Sequence, residues 1–226
     1  MFRSLFSLIV EVYKNDAEMA IASQEAGADA VLAQVLLQKQ SYVIGSVSDE
    51  LENIKQIARS VSIKKGLMLG DVRSINREEW DMIKDLDVDF LVAFPSNAPI
   101  FLLNSKKPLM VVVQQGLPLE YYRVLGHLPS VEGFIYNPSV QSRFDSAFNL
   151  VDMAVLELLA SNLTKPVFFR AQSELKEDEL KHVIKRGASG IIIDPYAYGI
   201  IETEDVKELV RSYRRIISET EFRIWS

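Results

Sequence analysis

Three carboxylates and one guanidinium each stand at the end of a short apolar run in this chain: Glu11, Asp71, Asp194 and Arg170. Three more such runs end on side-chain amides, Gln34, Gln114 and Asn137, and one ends on Phe94. Carboxylates that share a basin can act as general acid and general base. A guanidinium can take an anionic group through two parallel hydrogen bonds. Glu11, Asp71 and Asp194 are therefore the expected catalytic residues, with Arg170, Gln34, Gln114 and Asn137 orienting a small anionic metabolite. The same three carboxylates offer hard oxygen ligands of the kind Mg²⁺ takes. Polar residues also end strands simply because strands end in solvent, so the pattern has a bland explanation beside the functional one.

Other chemistries are thinned by what is missing. Cysteine is absent, which removes thiolate nucleophiles, disulfides and Cys-ligated metals. Only His127 and His182 exist, both within expected helices, so a Ser/His/Asp arrangement or a His-rich zinc site is disfavoured. No lysine ends a strand; Lys14 lies three residues past Glu11 in a loop, which makes a Schiff-base aldolase a weak candidate.

The roles assigned above require elements that bring the run ends to one place. Residues 28–34 (ADAVLAQ), 88–94 (VDFLVAF), 131–137 (VEGFIYN) and 188–194 (ASGIIID) repeat one pattern: a small or branched residue, a polar one, then an apolar stretch. Runs of a second type alternate with them, at 7–11, 65–71, 107–114 and 165–172; three of these open with Lys followed by Gly or Pro. Helix-period segments join the runs. Met19, Ala22 and Ala26 share a face that ends at Gly27, and Leu51, Ile54, Ile57, Ala58 and Val61 form another stripe. Capping boxes are expected at Asn15 with Glu18, Asp49 with Glu52 and Asn76 with Glu79. Further helices are expected over 118–128, 147–162, 174–187 and 202–219, whereas SNAPIFLLNSKK after the fourth run leaves room for a short fourth helix only. Continuous apolar strands alternating with helices predict a parallel sheet. The first and last runs are as apolar as the middle ones, so the sheet is expected to close. The fold class is a single-domain α/β (β/α)8 TIM barrel spanning residues 1–226, with an open doubly wound sheet as the rival. In such a barrel the carboxyl ends of the strands carry the site.

With 226 residues and 48% hydrophobic content, the chain can build one core without a metal or disulfide staple. Its net charge of −6, with no basic block, argues against a nucleic-acid partner. No apolar run reaches the length of a membrane span, and the cysteine-free composition agrees with a cytoplasmic setting.

The stretch EAGADAVLAQ, together with ASGIIID at the eighth run, resembles the small phosphate-binding barrels: thiamine-phosphate synthase, indole-glycerol-phosphate synthase, phosphoribosylanthranilate isomerase and, more distantly, the FMN-dependent nitronate monooxygenases. That resemblance implies a phosphate cradle in the turns after strands seven and eight, working with a helix amino terminus, and opens FMN as a cofactor. The corresponding positions read Ala171, Gln172, Ser173, Glu174 and Pro195 to Gly199, so the glycine pair is missing after strand seven. Ser173, Gly199 and Arg170 are the residues left to serve.

Two loops stand out. Residues 35–48, with Tyr42, Gly45 and Ser46, form the longest connection on the expected active face and read as a lid, an interface or a packed excursion with Val43 and Ile44 tucked in. Tyr196 and Tyr198, after the eighth run, could stack on a planar ligand or cover the rim. The apolar residues of the short fourth helix, with Phe222 and Trp225, suggest a homodimer interface or a tail folded over the barrel bottom. Two classes of function remain: a small-metabolite enzyme, lyase or isomerase, and a catalytically silent barrel that binds or scaffolds. An FMN-dependent oxidoreductase-like barrel is a further alternative.

Overall fold

The computed structural model describes residues 6–38, 43–138 and 148–225, without the side chains of 223–225. Tyr42, Ala147 and the Trp225 side chain, on which expectations were placed, lie outside the described residues. Eight parallel strands pair in chain order and the first closes on the last. They are β1 (Ser7–Glu11), β2 (Ala30–Val35), β3 (Lys64–Leu69), β4 (Phe90–Ala93), β5 (Leu109–Val113), β6 (Val131–Tyr136), β7 (Val167–Arg170) and β8 (Gly190–Ile193). The helices between them are α1 (Ala17–Glu25), α2 (Val47–Ser60), α3 (Arg77–Ile83), α4 (Leu119–Gly126), α5 (Leu150–Asn162) and α6 (Glu177–Lys185), and α7 (Thr203–Trp225) follows β8. The expected closed barrel is thus the observed fold, and closure removes the exposed edge that an open sheet would leave.

Strand residues alternate between two cores. Ile9, Leu32, Met68, Val92, Val112, Ile135, Phe168 and Ile192 belong to a cluster that fills the barrel. Their neighbours, among them Val10, Val31, Leu67, Leu91, Val111, Phe134, Phe169 and Ile191, pack under the helices. Bulk inside the barrel is balanced across strand pairs. Gly66 stands opposite Phe90, and Gly190 opposite Phe168. A methyl group on Gly66 would overlap the Phe90 ring and Leu32; one on Gly190 would meet the Phe168 ring and the Ser7 carbonyl. Each aromatic ring therefore occupies the space that its glycine partner leaves.

The helix starts are set by side-chain caps, in two places shifted from those expected. At α1 the cap is Asp16, which accepts from the Glu18 amide at 2.7 Å, and not Asn15. At α2 the box is Ser46 with Asp49, three residues earlier than Asp49 with Glu52. Asn76 with Glu79 at α3 is as expected, and Asn149 with Asp152 opens α5. The fourth connection is indeed short: a 3-10 turn, Ile100–Asn104, stands where the other units carry an α-helix. Beneath it lies an apolar cavity of about 220 Å³ against β4, β5 and β6, lined by residues including Ala93, Leu102, Leu109, Val111, Leu125 and Val131. No helix among the described residues is long and apolar enough to cross a membrane.

Candidate functional site

Continuing the inward alternation to the carboxyl end of each strand puts Glu11, Gln34, Phe94, Gln114, Asn137, Arg170 and Asp194 on the interior side. Asp71 falls outside this set. Met68 points inward, so Gly70 is the next inward position on β3 and Asp71 faces out. Asp71 is exposed, its carboxylate accepts from the Gln38 amide at 3.4 Å, and its carbonyl accepts from Asn97 at 2.7 Å. The structure does not bring it to the other two carboxylates. Among the described residues no group of three or more His, Cys, Asp or Glu could hold a metal ion, so the three-carboxylate magnesium site does not form.

What does assemble is one polar network across β6, β7, β1 and β2. Glu11, on β1, is buried and takes two hydrogen bonds from Arg170 on β7: one from Nε, the other from Nη2 at 2.8 Å. Gln34 Nε2, on β2, donates to the same carboxylate at 3.0 Å. Arg170 Nη1 reaches Asn137 Oδ1 only distantly, at 3.5 Å, and Gln172 also donates to that oxygen. Burial opposes charge on Arg170, but the adjacent Glu11 carboxylate, with Asp194 further off, outweighs it and holds the guanidinium well above its ordinary value. Arg170 is a permanent cation, and Glu11 balances it. Gln34 Oε1 is buried and has no hydrogen-bond partner among the described residues. An acceptor in that state costs on the order of 1–3 kcal/mol unless a small molecule or a water meets it.

Asn15 positions Gln34. Its Oδ1 accepts from the Gln34 amide and its Nδ2 donates to the Gln34 carbonyl, both at 2.8 Å, as a neighbouring strand would. The same Nδ2 donates to Glu50 at 2.8 Å. To do this Asn15 is buried at φ 51°, after Lys14 at φ 49°. Left-handed backbone at two successive non-glycine residues is strain, and it sits beside the polar network. Asn15 and Gln172 were both missed as site residues. Gln172 lies two positions past Arg170, so alternation alone would have found it. For Asn15 the only signal was the tolerance of Asn for positive φ.

The remaining candidates lie at the rim. Asp194 is buried and caps the turn Pro195–Tyr198, accepting from the Ala197 amide at 3.3 Å. Tyr198 donates to the Ala171 carbonyl at 3.1 Å, and burial first of all, then the neighbouring Tyr213 and the carboxylates, pushes its hydroxyl well above the ordinary tyrosine value. It is a neutral donor at any physiological pH. Tyr196 stacks on Tyr13, with ring centroids 4.0 Å apart. Gln114 turns to the β4 side, where its Oε1 accepts from the Ser96 amide at 3.2 Å, and Ser173 is half-buried in the turn after β7. On the β2–β4 side the mouth is apolar. The chain after β2 folds back through an antiparallel bridge, Gln38 to Val43, and delivers Leu37 and Ile44 to the interior cluster beside Phe94. Ile44 is tucked in, whereas Val43 is exposed.

No family model matches the chain, and no curated protein matches it in sequence. Solved structures do match in fold. Thiamine phosphate pyrophosphorylase from Pyrococcus furiosus superposes with a TM-score of 0.65 at 15% identity, covering 96% of each chain. Phospho-2-dehydro-3-deoxyheptonate aldolase from Thermotoga maritima gives 0.68 at 15% identity, over 95% of this chain and 69% of that one. The N-acetylmannosamine-6-phosphate 2-epimerase from Clostridium perfringens gives 0.57 at 16% identity, over 85% and 87%. At these identities the likeness is one of fold: the chain is a (β/α)8 barrel built like those of several enzymes named for phosphorylated compounds.

The residues present do not fit a phosphate cradle or, with it, FMN. The turn after β7 has no glycine, and the carboxylate of Asp194 already takes an amide of the turn after β8, where a phosphate would compete.

Proposed function

We propose that this barrel is an enzyme of small-molecule metabolism, a lyase or isomerase, working in the sector of the mouth bounded by β6, β7, β8, β1 and β2. The observation that carries the reading is the Glu11–Arg170–Gln34–Asn137 network. It draws side chains from four strands and leaves a buried acceptor, Gln34 Oε1, without a partner among the described residues. Arg170 Nη1 is the guanidinium nitrogen that Glu11 does not take, and it is suited to an oxyanion on a substrate. Glu11 then acts as the positioning residue that holds the guanidinium in place. Asp194 is the carboxylate assigned to move a proton, and Tyr198, whose hydroxyl proton goes to the Ala171 carbonyl, is a neutral neighbour that helps hold the rim. A singly charged carboxylate or enolate suits this mouth better than a phosphate dianion, because Asp194 shares the sector with Arg170.

A second reading is a silent barrel. It is favoured by the Leu37, Ile44 and Phe94 plug and by the way Glu11 and Arg170 satisfy each other. One experiment separates the two. The protein is incubated in D₂O with a panel of small carboxylic and keto acids and followed by proton NMR. Deuterium uptake or product formation is expected with some member, falling by roughly 10²–10⁴ in Asp194→Asn. Turnover unchanged in that variant would remove Asp194 from the chemistry, whereas no reaction with any member, with Asp194→Asn losing several kcal/mol of stability, would assign Asp194 to the fold and leave the silent barrel.

A further inference from the structure

The short fourth connection leaves an opening on the outer wall that shares no residue with the polar network. A groove of about 480 Å³ runs between α3 and the turn Ile100–Asn104, lined by Arg77, Trp80, Lys84, Asp85, Phe101 and the segment 104–107. Its size lies within the range of small-molecule sites. The floor is aromatic: the Trp80 and Phe101 rings are 6.2 Å apart, and the Arg77 guanidinium is set over Phe101 at 4.6 Å. The rim is cationic, with four basic side chains against the single acid Asp85. Lys84 is engaged by Asp81 at 2.7 Å. Lys107 gives two of its three N–H bonds to the carbonyls of Leu86 and Val88, at 2.8 and 3.0 Å, and is half-buried; among the described residues no carboxylate is in salt-bridge contact with it, although Asp85, Asp87 and Asp89 are near enough to favour its charge. Lys106 is exposed. In a chain of net charge −6, the groove gathers four cations over an aromatic floor.

We propose that this groove binds a small planar molecule carrying an oxyanion, its ring against Trp80 and Phe101 and its anionic group among Arg77, Lys106 and Lys107. Ring and charge are both required, because the aromatic floor attracts a flat apolar face and the cations attract the anion. The shared chemistry is met by a nucleoside monophosphate and by an aromatic carboxylate. The test distinguishes them and does not depend on any reaction at the barrel mouth. In Trp225→Phe, Trp80 is the sole tryptophan, and its fluorescence is titrated with AMP, with benzoate and with inorganic phosphate up to millimolar concentrations. Saturable change with AMP or benzoate is expected, weakened about ten-fold in Lys106→Glu and in Arg77→Gln, both exposed positions. The inference is overturned if neither ring-bearing anion saturates, if the two variants bind as the parent does, or if phosphate alone binds as tightly.

Discussion

The pair formed by Glu11 and Arg170 joins residues 159 positions apart, and it decides what each can do. A buried carboxylate that takes two guanidinium bonds has its oxygens committed, so its part is to hold Arg170. Removing one partner strands the other. Arg170→Met is expected to cost about 3–5 kcal/mol in urea unfolding, whereas Glu11→Met with Arg170→Met together should lie near the wild type. If the single variant loses under about 1 kcal/mol, the pair is not what organises the mouth. The sequence showed that both residues end strands, because each follows an apolar run. It could not show that they meet, since that depends on closure of the whole ring. Asp71 was misread for a local reason: the run KGLMLGD ends with a glycine on the inward side, and Asp71 is one residue out of phase. A period of two makes a slip of one residue a change of face.

At the level of elements, strand positions were legible to within a residue or two because buried parallel strands are continuous apolar runs. Helix starts were less so. Around α2, both Ser46 with Asp49 and Asp49 with Glu52 have the required spacing, and only the position of the preceding chain chooses between them. The box that was read correctly, at α3, carries an electrostatic consequence. Glu79 closes that box, accepting from the Asn76 amide at 3.1 Å, and also takes two bonds from Arg73, at 2.6 and 2.8 Å. The Arg73 guanidinium, more than the capping amide, holds the Glu79 carboxyl below the ordinary glutamate range, against the opposing effect of burial. A group whose pKa is lowered by folding adds stability above its unfolded value, near 4.3, and loses it as pH falls through the folded value. Glu79→Gln should therefore be less stable than the wild type by about 1–2 kcal/mol at neutral pH. The gap should close below about pH 4 in denaturation series run across acid pH. A gap independent of pH would mean that shape and capping, not charge, set the contribution of Glu79.

For the whole molecule, the likeness to barrels named for phosphorylated compounds is a likeness of architecture; here the turn after β7 carries no glycine, and Asp194 takes an amide of the turn after β8. Fold was readable from the sequence because it rests on many weak, repeated signals. The site was readable only in outline because it rests on a few contacts between distant strands. The ring itself has one thin place. Elsewhere an α-helix lies over each pair of strands, but over β4 and β5 there is a 3-10 turn of five residues above an apolar hollow. β4 is four residues long and shares three registered pairs with β5, no fewer than β7 with β8, so it is the missing helix that sets this seam apart. In a closed ring no strand can fray from an edge, so transient opening must begin at a seam between neighbours, and the least insulated seam is this one. Hydrogen–deuterium exchange should find the amides of Leu91 to Ala93 trading with solvent ahead of those of β1 and β8, the hoop giving way first where its cladding is thinnest.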